Sequence, residues 1–165
     1  MTIKYILATI LIILLWSTQG AAEECIFDAE EQKQVLKELQ NKYPGSKLSI
    51  EERSLEIAWD RGTITYQRGG CDHFGETILY TTTGEADFST RDKLFAQAIK
   101  MGKEFFKGML SGEKLAELLA TKDYQYQRRE DGDWYTIPHE YLIDLSVSYS
   151  RSGHKQTIDV GYYMN

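Results

Sequence analysis

Consecutive runs of apolar–polar alternation constrain this chain most, because a period of two places alternate side chains on opposite faces of a half-buried strand. Leu48 and Ile50 alternate with Lys47, Ser49 and Glu51, and Leu55, Ile57 and Trp59 alternate with Ser54, Glu56 and Ala58. Asp60-Arg61-Gly62 supplies a turn, after which Ile64 and Tyr66 alternate with Thr63, Thr65 and Gln67. Beyond the Gly69-Gly70 break, Phe74 to Thr83 reads as a further strand. No helical pattern separates these runs, so they are expected to pair as an antiparallel meander with one face buried.

Helical periodicity brackets that meander. Asp28 and Glu31 have the spacing of a capping box ahead of Val35, Leu36 and Leu39, and Tyr43-Pro44-Gly45 stops the helix. Ser89 is the expected cap of a second helix, in which Leu94, Ala98, Met101, Phe105 and Met109 recur at spacings of four and three. The stretch from Gly108 to Gly112 interrupts it, and Leu115, Leu118 and Leu119 mark a third, shorter helix. Alternation then returns. Tyr124 to Arg129, a turn over Glu130-Asp131-Gly132-Asp133, and Trp134 to Ile137 form a hairpin. Ile143, Leu145, Val147 and Tyr149 alternate with Asp144 and three serines; Ile158, Val160 and Tyr162 follow the turn Arg151-Ser152-Gly153-His154.

The order is a helix and four strands, then two helices and four strands. Strands that follow one another directly imply an α+β fold, an antiparallel sheet with helices packed on one side. The helix-plus-meander layout occurs twice, as two pseudo-repeated halves without a residue-level repeat. No linker rich in Pro, Gly or Ser separates them, so residues 23–165 read as one domain.

Residues 1–22 read as a secretory signal. Lys4 precedes an apolar run from Tyr5 to Trp16, broken only by Thr9, and a small polar segment ends at Ala22. The run is too short and wrongly flanked for a stable membrane span. Cleavage is expected after Ala22, and Glu24 before Cys25 departs from a lipid-attachment signal. Export to a periplasm or the extracellular space follows. Cys25 and Cys71 then most simply form one disulfide. It would close a loop of about 47 residues, worth roughly 4 kcal/mol through the unfolded chain.

Of the 19 basic residues only Lys4 lies in the leader, so 18 against 25 acidic residues leave the mature chain at −7. That charge argues against nucleic acid and anionic lipid as partners and suits a basic protein.

Asp72 and His73, beside Cys71 in Gly69-Gly70-Cys71-Asp72-His73-Phe74-Gly75, are the most unusual cluster of polar side chains. A Cys–His nucleophile pair or a metal site is opposed by the expected disulfide, and by the opposite directions of adjacent side chains on an extended chain. His139-Glu140 and His154 lack metal-ligand spacing, so no metal and no cofactor is called for. Ser111-Gly112-Glu113-Lys114 matches S-x-x-K without its companion motifs, and Ser111 is better read as a helix cap. Glu51-Glu52 and Glu130-Asp131-Asp133 are carboxylate pairs in exposed segments.

Aromatics crowd the last third of the chain. Tyr162 and Tyr163 must face opposite ways, so at least one is expected at the surface. Trp134, Tyr135 and Tyr163 are candidate binding residues together with Asp72 and His73, since exposed Trp and Tyr supply rigid contact area.

The helix-plus-meander layout, used twice in a small exported protein with one disulfide, resembles proteinaceous enzyme inhibitors in architecture, with no residue role carried across. With no convincing catalytic set, the first expectation is a non-enzymatic binding protein of the bacterial envelope, an inhibitor or immunity protein against a wall-acting enzyme. The alternatives are a small hydrolase using His73 with nearby carboxylates, and a ligand-binding module with a pocket between sheet and helices. A closed core with an aromatic, acidic surface patch would favour the first.

Overall fold

The computed structural model describes residues 29–51, 53–70, 74–84 and 87–164. Asp28, Cys25, Cys71, Asp72 and His73 lie outside them. Within them the order is α1 (Ala29–Lys42), β1 (Lys47–Ser49), β2 (Ser54–Trp59), β3 (Gly62–Gly69), β4 (Phe74–Thr83), α2 (Arg91–Phe105), α3 (Gly112–Ala120), β5 (Gln125–Arg129), β6 (Gly132–Thr136), β7 (Ile143–Ser152) and β8 (Lys155–Met164).

All eight strands join one antiparallel sheet in the order β1-β2-β3-β4-β8-β7-β6-β5. The fold is α+β. Each meander contributes its last strand to the middle, where β4 and β8 pair along their full length, from Phe74 opposite Met164 to Thr83 opposite Lys155. The two meanders are mirrored in strand order, but among the described residues one is preceded by a single helix and the other by two.

The buried set follows from strand parity. Leu55 and Ile57 of β2, Ile64 and Tyr66 of β3, Ile78 and Tyr80 of β4, Val147 of β7, and Ile158, Val160 and Tyr162 of β8 all point to the helix layer. Leu36 and Leu39 of α1, and Leu94, Ala98, Met101 and Phe105 of α2, meet them from above. Phe105 sits at the crossing, its ring 5.7 Å from both Tyr43 and Trp59 and 6.5 Å from Tyr66. Each fully buried large apolar side chain contributes roughly 1.5–3 kcal/mol relative to exposure. Among the described residues these side chains form one cluster between sheet and helices.

Several boundaries depart from the periodic reading. β1 is only three residues long, and Ile50 is exposed beyond it. The N-cap of α2 is Thr90, whose side chain makes no capping bond; Ser89 instead bonds to Asp87 through its N–H and its hydroxyl. α2 ends at Phe105, and Met109 is 64% exposed rather than part of the apolar stripe. The β5–β6 turn is Glu130-Asp131 alone, with Gly132 and Asp133 already in β6. Ser111 does cap α3: its Oγ accepts from Lys114 N–H at 3.1 Å.

Candidate functional site

Side chains between the core positions point away from the helices. The register aligns them into rows across the strands. One row runs Thr77 (β4), Gly161 (β8), Ser146 (β7) and Thr136 (β6), four strands without a large side chain. The next row carries Leu79, Asp159, Ser148 and Trp134, and on the other side Tyr163 lies opposite Gly75. Small residues flanked by a Trp and a Tyr leave a depression of about 430 Å³, to which Arg129 and Asp144 also contribute. Gly75 lacks the Cβ that would stand 2.6 Å from the Tyr163 ring, so that ring lies down over the glycine instead of filling the trough.

Three features of this face bear on chemistry. The Arg129 guanidinium lies 4.1 Å from the centre of the Trp134 ring, a cation–π stack that holds both side chains. Asp144, exposed at the rim of the depression, has a left-handed backbone (φ 55°) beside a register shift between Ile143 and Ser146, a β-bulge. Asp159 is half-buried, and burial raises its pKa above the usual carboxylate value. Among the described residues no Lys or Arg forms an ion pair with either aspartate.

Trp134 and Tyr163, expected as binding residues, therefore share one site. Tyr135 does not join them. It points to the opposite side, 7% exposed, with its ring centre 4.9 Å from Phe95, 5.4 Å from Tyr124 and 5.1 Å from Tyr126. Burial and neighbouring acidic groups raise its hydroxyl pKa. A strand cannot present adjacent residues to one surface. Tyr162 and Tyr163 divide the same way, at 0% and 48% exposure.

The two described histidines do not converge. His139, whose Nδ1 accepts from Tyr141 N–H at 3.1 Å, precedes β7, and His154 follows it. A ten-residue strand separates them, roughly 30 Å along its length. Glu51, Glu130 and Asp131 are exposed, and Asp133 accepts from Tyr126 and Arg128 on the helix side of β6. No group of three His, Cys, Asp or Glu among the described residues could hold a metal ion. No helix there is long and apolar enough to cross a membrane.

A second polar cluster escaped the periodic reading. Glu76, on the helix side of β4, has no exposed surface and accepts five hydrogen bonds. Tyr66 OH (2.7 Å), Arg68 and Lys107 N–H (3.3 Å) reach Oε1; Tyr162 OH (2.6 Å) and Gly108 N–H (3.1 Å) reach Oε2. Burial first, and then the Glu76 charge and hydrogen bond, raise the pKa of both tyrosine hydroxyls. Burial lowers the Arg68 pKa, but the charge of Glu76 and the Tyr66 contacts outweigh it and raise the net value. The cluster fastens β3, β4, β8 and the α2–α3 connection together, and its acceptor atoms face the interior. A structural role follows. Parity could have found it, since Arg68 and Glu76 are cross-strand partners at core-facing positions.

The aspartates of the open face carried a weaker signal. Asp159 occupies an outward position in an alternating run, which is ordinary unless β8 is known to be central. No protein-family model matches the chain, and no curated protein or solved structure shows significant similarity to it.

Proposed function

We propose that this is an exported, non-enzymatic binding protein of the bacterial envelope, which engages a basic protein through the open face of its sheet as an inhibitor or immunity protein does. One observation carries the reading. One cluster of buried apolar side chains occupies the space between sheet and helices, while Trp134, Tyr163, Asp144 and Asp159 gather on the sheet face turned away from the described helices, around a depression. Aromatic anchors beside carboxylates suit a partner surface rich in Lys and Arg. The −7 charge of the mature chain would steer such a partner toward it.

The test is a pull-down from envelope extract with the wild type and Trp134→Ala, each immobilised away from β5–β8. The expected outcome is a protein retained by the wild type and lost with the variant, a hot-spot loss of about 2 kcal/mol. No retained protein, or equal recovery by both, contradicts the reading. Turnover of a small envelope substrate by the purified protein would contradict the whole class.

A further inference from the structure

We infer that the depression between Trp134 and Tyr163 is a receptor for one basic side chain of the bound protein, an arginine in preference to a lysine, with its charged head against Asp159 and Asp144. The inference rests on the binding reading and names the chemistry that its central contact would use.

Shape, charge and the lining side chains agree on this occupant. The floor is made by Gly161, Ser146, Thr77 and Thr136, so an elongated side chain can lie along the row without displacing a large neighbour. Two carboxylates border that floor, and no Lys or Arg among the described residues is paired with either. Arg129, the basic residue lining the depression, is stacked on Trp134. Burial of Asp159 disfavours its charged form, and a cation arriving at that oxygen offsets the desolvation. An anion would meet two carboxylates in a partly dry trough. An uncharged polyol could use the Ser and Thr hydroxyls but would leave the Asp159 charge uncompensated. A guanidinium satisfies the most groups at once: it forks onto a carboxylate and lies flat against an aromatic ring such as Tyr163.

The probe is agmatine, arginine without its carboxylate, titrated into the isotope-labelled mature protein and followed by NMR. Methyl glucoside and acetate serve as neutral and anionic comparisons. Agmatine is expected to shift the amides of Gly161 and Ser146 and the Trp134 indole N–H, with a dissociation constant on the order of 1 mM. Asp159→Asn should weaken this at least about tenfold, the loss of one charge-assisted contact. Asp144→Asn, which keeps a residue tolerant of the left-handed backbone, provides a second variant should the first fold poorly. Asp123→Asn, an exposed carboxylate between α3 and β5, removes the same net charge and should change affinity less than about twofold.

The assignment is overturned if no probe shifts these signals, if glucoside or acetate does so in place of agmatine, or if agmatine binds both Asn variants of the depression as it binds the wild type. A Trp134-dependent protein partner that agmatine fails to displace would also overturn it while leaving the binding reading intact. A failed pull-down alongside a specific agmatine site would count against the binding reading alone.

Discussion

A carboxylate without exposed surface persists in a fold only where donors replace the water it has lost. Glu76 has five such donors, whereas Asp159, only half-buried, has no hydrogen-bond or ion-pair partner among the described residues, so the two acids should respond to neutralisation in opposite ways. Glu76→Gln leaves the Arg68 guanidinium, only 6% exposed, beside a neutral amide. A loss of roughly 3–5 kcal/mol is expected in urea unfolding, as for any buried ion pair broken on one side. Tyr162→Phe, which removes one donor of five, should cost less, about 1.5–3 kcal/mol, the range for a hydrogen bond to a charged group. Asp159→Asn should instead stabilise the protein at neutral pH by on the order of 1 kcal/mol, the cost of desolvating a polar group without a partner. The sign follows from the raised pKa. Folding favours the protonated acid, so the contribution of Asp159 is most favourable below its unfolded pKa and is lost as pH rises through the higher folded value. The stability gap between variant and wild type should therefore close toward pH 3 and open toward pH 7. A gap independent of pH would contradict this account.

Among the elements, the connection from α2 to α3 joins the two polar and apolar networks. Its backbone N–H groups at Lys107 and Gly108 close the Glu76 cluster, and a Cβ at Gly108 would stand 2.4 Å from Tyr162 OH and 2.8 Å from a Glu76 oxygen. Gly108→Ala should push the connection off the sheet and destabilise by at least about 1–3 kcal/mol, the range for overpacking. Ser111→Ala, a few residues on, should cost only about 1 kcal/mol, the loss of one cap. Equal losses in calorimetry would mean that the connection is not seated through Glu76. This stretch also shows where periodicity stops being legible. Leu94, Ala98, Met101 and Phe105 mark α2 correctly because each is buried on one stripe, but Met109 continues the spacing by coincidence after the chain has left the helix. Apolarity at the right interval cannot register that the backbone has turned to meet Glu76. In the same way Ser89, a good cap by residue type, is drawn away by Asp87. Strands were more legible than helix ends, since β8 keeps its alternation through Ile158, Val160 and Tyr162, where a slip of one residue would turn all three outward.

For the whole molecule, the order of strands is what local pattern could not supply. Alternation shows which side chains share a face of one strand, and short turns show which consecutive strands pair. Neither shows that β8 returns to lie beside β4, and that pairing brings Thr77, Gly161 and Ser146 into one row and makes Asp159 central. The site was thus half legible: Trp134 and Tyr163 stood out as aromatics, whereas the aspartates between them depend on the long-range closure of the sheet. The sheet edges are blunt, with a three-residue β1 at one end and an exposed β5 carrying Arg128 and Arg129 at the other, which discourages edge pairing between molecules. The same long-range packing bears on the cysteines. Glu31, in the first turn of α1, lies 3.8 Å from Arg68 of β3, and the next residue, Gln32, fills the space where Gly69 has no Cβ. The start of α1 is therefore seated on the end of β3, a few residues from Cys25 along one segment and from Cys71 along the other. A disulfide there is expected to constrain the unfolded chain by closing a loop of about 47 residues, and to take no part in binding, since α1 packs on the covered side of the sheet. Denatured, unreduced mature protein should accordingly give no reaction with a thiol reagent, and full labelling of both cysteines would rule the bridge out. Cys25→Ser should lower stability by about 2–5 kcal/mol. At a temperature where that variant remains folded, its agmatine affinity should equal that of the wild type, whereas a loss of affinity would mean that the bridge shapes the open face as well as the unfolded chain.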